Sequence, residues 1–229
     1  DISHHSEEFL RKRFPSIFEA CLNIGLNMAE DLIPVVPAAH YCCGGVKTDI
    51  NGCSSIDRLY AIGETASTGL HGANRLASNS LMEAVVVASN AVEHSIDRVA
   101  RCSGASVQAQ LNSVPDWSCG LAKDSDELVV ITHNWSEIRS FMWDYVGIFR
   151  TTKRLQRAKR RIRNLQQEIN HFYWDSVMTP DLIELRNLAC ISELIIDSAL
   201  ARRESRGLHY NMDFPDLQDD PQETIIKKN

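Results

Sequence analysis

The sequence predicts an α+β protein in which a short β-rich segment precedes a bundle of three long helices. Between residues 41 and 64 the chain consists of glycine-containing turns and short apolar runs, which is the pattern of strands joined by tight turns. After residue 134, apolar residues recur every three or four positions along three successive stretches, as one buried face of an α-helix requires. The chain has 229 residues and is 44% hydrophobic, so it is long enough to bury a core.

The amino-terminal stretch is predicted to be helical. Apolar residues within residues 7–27 fall near helical spacing on both sides of a break at Pro15. Pro34 and Pro37 then exclude a helix and favour an extended run into His40, because proline lacks the N–H that a helix needs.

The β-rich segment and the loop after it contain clear local signals. Asn51-Gly52 is typical of a hairpin turn, and the apolar run at 59–62 is predicted to be a strand that Gly63 ends. Residues 65–79 are rich in Gly, Ser, Thr and Asn, which predicts a loop.

A helix is predicted at residues 80–98. Ser80 and Glu83 have the spacing of a capping box, in which each side chain satisfies a backbone N–H of the first turn. Glu83 is therefore predicted to cap this helix. His71, in the preceding loop, is predicted to shape that loop without a catalytic role.

A linker and three amphipathic helices are predicted for the carboxy-terminal half. The linker is residues 102–126, with a domain boundary near residue 105. The helices are predicted at residues 134–151, 152–174 and 181–203. The second helix has an apolar seam at Leu155, Ala158, Ile162, Leu165, Ile169 and Phe172, and the third has one at Leu182, Leu185, Leu188, Ile191, Leu194 and Ile195. Three such helices can bury their apolar seams against one another as a bundle. The acidic tail after residue 210 is predicted to be irregular.

Composition excludes several classes of function. With a net charge of -6 and a pI near 5.8, the chain lacks the surplus of Lys and Arg that nucleic-acid binding needs, so no nucleic-acid partner is expected. No apolar run reaches the roughly 18 residues that cross a bilayer, so no membrane association is expected.

The cysteines indicate a reducing compartment. There are seven, an odd number, and Cys42 and Cys43 are adjacent, which suits free thiols better than a disulfide framework. Because the chain has no initiator Met, we expect it to begin inside a longer protein.

No metal site is expected. His40, Cys42, Cys43, Cys53 and His71 are close in sequence, but their spacing matches none of the CxxC-type patterns that bind zinc.

The stretch at residues 59–81 is the most informative for chemistry. Glu64 directly follows a predicted strand, where a carboxylate can accept hydrogen bonds from ligand hydroxyls. The helix that begins at Ser80 offers N–H groups and a positive dipole end to an anion, and Arg75 beside it adds a second positive feature. A polar site for an anionic ligand is therefore predicted here.

Several motifs resemble one family. Residues 56–64 look like the second flavin motif of the two-dinucleotide-binding-domain flavoproteins. HGANRLASNSL (residues 71–81) is similar to the signature of the succinate dehydrogenase/fumarate reductase flavoproteins, as are PAAHYCCGG (37–45) and ESRGLHYNMDFP (204–215). MWDYVGIFRTTKRL (142–155), together with PAAHY and TGLHGANRLASNSL, resembles the L-aspartate oxidase branch of that family.

The resemblance implies a domain plan and a cofactor, FAD. Residues 1–40 would be the end of a substrate-capping region, and residues 41–104 the closing, β-rich piece of a two-dinucleotide-binding-type FAD domain. Residues 105–229 would be a three-helix bundle domain with an irregular acidic tail. The family's diphosphate-binding GxGxxG motif is absent from this sequence.

The resemblance also implies roles for individual residues. His40 and Arg75 would bind the substrate carboxylates, which suits a dicarboxylate because a guanidinium can grip a carboxylate through two hydrogen bonds. Glu64 would bind the ribityl chain of FAD, and Ser80 and Leu81 would contact the flavin ring through their main chain. The catalytic residues are expected upstream of residue 1, so the chain alone is expected to be incomplete and inactive.

The reaction implied is hydride transfer from C2 of L-aspartate to flavin. The product would be iminoaspartate, which quinolinate synthase uses in NAD biosynthesis, and oxygen or fumarate would reoxidise the flavin. The compartment would be the cytoplasm in a bacterium and the plastid in a plant. The other partner implied is the amino-terminal half of the flavoprotein.

Two alternatives stay open. The first is a fumarate reductase or succinate dehydrogenase flavoprotein subunit, although Ala77 and the MWDYVG motif favour the oxidase. The second is a non-catalytic helical interaction module with a remnant flavin site.

A run of basic residues lies at 150–163, where eight of fourteen positions are Lys or Arg. The first interpretation of this run is a solvated helix face, and the second is a basic channel that guides a dicarboxylate.

Overall fold

A computed structural model describes residues 1–101, 104–116, 118–123 and 128–227, and it divides the chain into two compact units, residues 1–38 and 39–229. Part of the predicted linker, at 102–103, 117 and 124–127, and the last two residues of the tail lie outside the described residues. The domain boundary near residue 105 stays a prediction.

The first unit contains the interrupted helix that the sequence predicts. Helix α1 (Glu7–Arg13) is capped by Ser6, and helix α2 (Pro15–Asn23) begins at the proline, which has no N–H to leave unsatisfied. The second helix ends earlier than predicted because Gly25 adopts a left-handed conformation, with φ +82°. The buried residues of this unit are Leu10, Phe18, Cys21 and Met28.

The β-rich segment has less regular structure than predicted. Strand β1 (Val46–Lys47) pairs in parallel with strand β2 (Ala66–Ser67). The strand predicted at 59–62 is wrong: only Tyr60 pairs there, in an isolated antiparallel bridge with Cys53. An extended run becomes a regular strand only when a neighbour pairs along its length, and the described part of the chain supplies a single bridge.

The hairpin-type turn at Asn51-Gly52 is confirmed. The Gly52 N–H donates to the Asp49 carbonyl at 3.0 Å, and Gly52 has φ +71°, a conformation that favours glycine.

Helix α3 (Asn79–Ala100) confirms the helix predicted at 80–98 and corrects its start. The capping-box prediction is wrong. Ser78 is the N-cap residue, in the left-handed conformation, and its side chain makes no capping hydrogen bond. Glu83 is instead buried, in contact with His71 and Thr68. A further helix, α4 (Gly104–Asn112), lies inside the stretch predicted as linker.

Three long helices pack on one another in the carboxy-terminal half: α5 (Leu128–Val146), α6 (Thr152–Asp175) and α7 (Pro180–Ala201). The hydroxyls of Thr151 and Thr179 cap α6 and α7. The buried residues shared by the three helices include Ile138, Phe141, Leu155, Ala158, Ile162, Ile169, Leu182, Leu185, Ala189 and Ile196.

The seam of α6 is confirmed up to Ile169, after which Tyr173 is buried in place of Phe172. The seam predicted for α7 is correct only at its start. After the first two leucines, the buried positions are Ala189, Ser192, Ile196 and Ala199, whereas Ile191 and Leu194 are exposed.

A second pair of short strands connects the helices to the tail. Strand β3 (Phe149–Arg150) follows α5 and pairs in parallel with strand β4 (Tyr210–Asn211). Helix α5 ends before residue 151, where it was predicted to end, because β3 takes up the following residues. From residue 212 to residue 227 the chain has no helix or strand, as predicted. No helix within the described ranges is both long and apolar enough to span a membrane.

Candidate functional site

Arg75 is held between an aromatic ring and a hydroxyl. Its guanidinium carbon lies 4.5 Å from the centre of the Tyr41 ring, a cation–π contact. Its Nη1 donates a hydrogen bond of 2.6 Å to Ser80 Oγ, in the first turn of α3. The two contacts restrict the rotamers of a long side chain, so Arg75 is positioned before any ligand arrives.

Behind Tyr41 lies a buried polar pair, His71 and Glu83. The His71 ring meets the Tyr41 ring edge-on, with centroids 5.2 Å apart. Its Nε2 is 2.7 Å from Glu83 Oε2, and the two side chains are only 8% and 4% exposed. The two atoms are in close polar contact, but the angles are outside the range of an aligned hydrogen bond, and among the described residues Nδ1 of His71 has no partner. Glu83 also accepts a hydrogen bond from the Thr68 hydroxyl.

Glu64 lies in a single 3-10 turn, Gly63–Thr65, between the apolar run and β2. Its Oε1 accepts a hydrogen bond of 3.0 Å from the Cys42 N–H, and the side chain is exposed. The segment at residues 41–42 therefore joins two predicted site residues, because Tyr41 contacts Arg75 and Cys42 contacts Glu64.

These surroundings favour the protonated forms of the Tyr41 phenol and the Cys42 thiol. Burial, together with the negative charges of Glu83 and Glu64, raises the pKa of Tyr41 above its ordinary value. Burial and the charge of Glu64 likewise raise the pKa of the Cys42 thiol. Tyr41 and Cys42 are therefore neutral near pH 7, and Cys42 is not an activated nucleophile.

His40 and Leu81 are at the edges of this arrangement. His40 is exposed and directly precedes Tyr41, and Leu81 is 76% exposed in the first turn of α3. The start of α3 has no side-chain cap: the Asn79 N–H donates to the Leu76 carbonyl at 3.3 Å, and Ser78 supplies no hydroxyl acceptor for the N–H groups that follow. An exposed acid, a positioned guanidinium and an uncapped helix start together suit a ligand with hydroxyls and an anionic part.

The residues considered for a metal site do not form one. No group of three or more His, Cys, Asp or Glu within the described ranges could hold a metal ion.

Sequence reasoning missed the structural importance of Tyr41 and misassigned Glu83, whereas the contacts of His71 agree with the loop-shaping role predicted for it. A usable signal existed in α3: Glu83, Val87 and Ala91 recur every four residues and all are buried. An acid on the buried face of a helix needs a polar partner, whereas a capping acid stays at the surface.

Three of the seven basic side chains of α6, those of Lys159, Arg161 and Arg163, are paired with acids. Arg161 donates to Glu137 Oε1 from both Nε and Nη2, and Lys159 Nζ lies 2.5 Å from Asp197 Oδ1. This pairing supports the solvated-face interpretation and weakens that of a substrate channel.

Sequence comparison identifies the class of protein to which the chain belongs. Residues 1–81 match the model of an FAD binding domain, and residues 135–227 match the model of the fumarate reductase flavoprotein C-terminus. The chain belongs to the succinate dehydrogenase/fumarate reductase flavoprotein family, as its motifs predicted.

Individual relatives narrow the comparison. An L-aspartate oxidase of Pseudomonas aeruginosa is 54% identical over 226 residues, which are 99% of this chain and 41% of that protein. A chloroplastic L-aspartate oxidase of Oryza sativa subsp. japonica is 42% identical over 233 residues, 99% of this chain and 36% of that protein. A solved structure of E. coli quinol fumarate reductase FrdA has a TM-score of 0.75 at 34% identity, covering 96% of this chain and 39% of that one. The chain thus spans about two fifths of the length of these relatives.

Proposed function

We propose that this chain supplies the substrate-carboxylate clamp and the ring-side contacts of FAD in an L-aspartate oxidase. The observation that carries the proposal is Arg75, positioned between the Ser80 hydroxyl and the ring of Tyr41, the residue that follows the exposed His40. When bound, FAD supplies the hydride acceptor for C2 of L-aspartate, whose oxidation yields iminoaspartate.

The guanidinium of Arg75 has donors to spare for a substrate. Of its five N–H groups, one is used on Ser80, and its planar face is used on Tyr41. Among the described residues no carboxylate pairs with it, so a substrate carboxylate can take two parallel hydrogen bonds from its edge. His40 would bind the second carboxylate, which accounts for selection of a dicarboxylate.

The residues present also fit FAD. The exposed carboxylate of Glu64 can accept a hydrogen bond from a ribityl hydroxyl while it holds the Cys42 N–H. The main-chain N–H groups of Ser80 and Leu81 lie in the uncapped first turn of α3 and can donate to a flavin ring oxygen. Partial positive charge at that helix end would stabilise negative charge on the ring.

The proposal assigns the remaining machinery to an upstream half of the protein. The diphosphate-binding glycines and the catalytic base would come from that half. The product would pass to quinolinate synthase in NAD biosynthesis, in the cytoplasm of a bacterium or the plastid of a plant.

The test is Arg75→Ala in the complete flavoprotein that contains this chain. We expect the variant to lose most aspartate oxidation and to keep its FAD, because Arg75 binds substrate and Glu64 binds cofactor. Arg101→Ala, which changes an exposed arginine after α3, is the control and keeps wild-type turnover. Wild-type steady-state activity in Arg75→Ala would contradict the proposal.

The likeness to quinol fumarate reductase keeps a second candidate, a fumarate reductase or succinate dehydrogenase flavoprotein subunit. Both candidates use four-carbon dicarboxylates, so the substrate decides between them. Turnover of L-aspartate to iminoaspartate favours the oxidase, whereas turnover of succinate to fumarate favours the second candidate. An absorbance spectrum without flavin in the complete protein would instead favour a non-catalytic module.

A further inference from the structure

The carboxy-terminal segment at residues 204–211, here called the clasp, grips the loop that carries Arg75. The Leu208 N–H donates a hydrogen bond of 3.0 Å to the Ala73 carbonyl, two residues before Arg75. Gly207 has φ +59°, and a Cβ added to it would lie 2.1 Å from Ala73 O and 2.7 Å from Ala73 Cβ. The loop therefore approaches the clasp so closely that only glycine fits.

The clasp is itself tightly held at its first residue. Glu204 is 1% exposed, and its carboxylate pairs with Arg202 and with Arg206. Its Oε2 also accepts a hydrogen bond of 3.0 Å from the Gln218 N–H. That backbone hydrogen bond and the two arginines hold the pKa of Glu204 below its ordinary value, so the carboxylate is ionised at neutral pH.

The other end of the clasp is attached to the helical part of the chain. His209 Nδ1 lies 2.9 Å from Arg150 Nη1, and the Arg206 N–H donates to the His209 carbonyl at 2.9 Å. The Met212 N–H donates to the Arg150 carbonyl at 2.9 Å, and β3 and β4 pair beside it. The clasp is therefore attached to the connection between α5 and α6.

The loop that carries Arg75 is held on its buried side by Glu83, but it contains two glycines that no side chain of the described residues restrains. Gly69 and Gly72 both have positive φ, and a Cβ added to either would meet no atom within 4 Å. Glycines in open space leave the backbone freer than other residues would, so a further contact such as that of Ala73 with the clasp restricts its conformation.

We propose that the clasp is a positioning element for substrate binding: Gly207 and Leu208 hold Ala73 so that Arg75 presents its edge to a dicarboxylate. The inference rests on the proposed function of Arg75. The helical domain would then affect substrate affinity without contacting the substrate, because it positions the loop that carries Arg75.

The test compares Gly207→Ala with Gly120→Ala in the complete flavoprotein. Both glycines have φ +59°, so both variants carry the same backbone strain, but a Cβ at Gly120 meets nothing within 4 Å. In Gly207→Ala the Ala73 carbonyl must retreat by roughly 1 Å to reach a normal contact distance. Displacing Arg75 on that scale raises KM for L-aspartate at least about tenfold. The dissociation constant of malonate, a dicarboxylate used as the binding probe, rises by a similar factor. Gly120→Ala leaves both constants unchanged, and both variants keep their flavin.

Equal KM values and equal malonate affinities in the two variants would overturn the inference. Failure of the proposed function looks different, because the wild-type protein would then not oxidise L-aspartate. In that case amide hydrogen exchange still decides: Gly207→Ala must speed exchange at residues 69–78 relative to Gly120→Ala. Should Gly207→Ala not fold, the wild type is used, and malonate must slow exchange of the Leu208 amide together with residues 69–78. Slowing of the loop without the Leu208 amide would count against the clasp.

Discussion

His71 Nε2 and Glu83 Oε2 lie 2.7 Å apart, and both side chains are more than nine-tenths buried. Glu83 is on α3 and His71 is in the loop before it, so the pair ties the loop to the helix. The Thr68 hydroxyl, which also donates to Glu83, adds a second attachment at the start of the same loop. The carboxylate therefore organises the loop that carries Arg75 from its buried side.

Removing the Glu83 carboxylate is expected to destabilise the protein by about 2–3 kcal/mol, because the buried His71 ring and the partly buried Thr68 hydroxyl lose their partner. Urea denaturation of Glu83→Ala measures this cost. Glu93→Ala is the matched control, since Glu93 is exposed on the same helix, and its change should stay within about 0.5 kcal/mol. Equal midpoints for the two variants would show that the buried pair contributes nothing to stability.

Tyr41 is expected to act through its ring and not through its hydroxyl. The pKa of Tyr41 is raised, so the phenol is neutral and its removal changes no charge. Tyr41→Phe keeps the face over which Arg75 lies, and KM for L-aspartate should change less than about twofold. Tyr41→Leu loses a cation–π contact of about 1 kcal/mol, so KM should rise roughly fivefold. Steady-state kinetics of the complete flavoprotein measure both, and an equal rise in the two variants would assign the role to the hydroxyl.

The helices of the carboxy-terminal half were largely predictable, and the error in α7 has a geometric cause. The predicted seam advances from Leu182 by steps of three residues, each of which turns 300°, so successive positions rotate away from one face. The buried positions alternate steps of three and four, which keeps them aligned. They include Ala189 and Ser192, small residues that a search for large apolar side chains overlooks.

Candidate residues for the site could be proposed from the sequence, but the contacts that position them could not. Glu64 and Arg75 stand out in local motifs, because an acid after a Gly turn and an arginine before a helix are visible in sequence, whereas the role proposed for His40 rests on the family resemblance. The contacts of Tyr41 with Arg75 and of Ala73 with Leu208 join residues that are 34 and 135 positions apart in the chain. Such contacts depend on how the loops fold over one another, which periodicity does not report.

The stability of the clasp is expected to fall as pH falls through the titration of His209. Arginine only donates, so the 2.9 Å contact of Arg150 Nη1 requires Nδ1 of His209 to be an unprotonated acceptor. Burial, and then the charge of Arg150, lower the pKa of His209 below its ordinary 6.5. The unfolded chain therefore binds a proton more readily than the folded one. Stability is complete above the unfolded pKa and declines as pH falls toward the folded pKa.

Chemical denaturation at several pH values between about 5 and 7.5 tests this dependence. His209→Gln keeps an acceptor for Arg150 and does not titrate, so its stability should change less with pH than that of the wild type. His171→Gln replaces an exposed histidine and should retain the wild-type slope. A His209→Gln variant with the wild-type slope would remove His209 as the source.

The observed register of α7 predicts very different costs for two similar truncations. Leu185 is 0% exposed and packs in the core of the three helices, whereas Ile191 is 49% exposed. Leu185→Ala should therefore cost about 3 kcal/mol, because it removes buried methyl groups and leaves a cavity. Ile191→Ala should cost less than about 1 kcal/mol, since its side chain is half in water already. Thermal or urea unfolding of the two variants distinguishes the two registers. The seam predicted by steps of three places both residues in the core, so it requires similar losses of stability. Similar losses would contradict the observed packing.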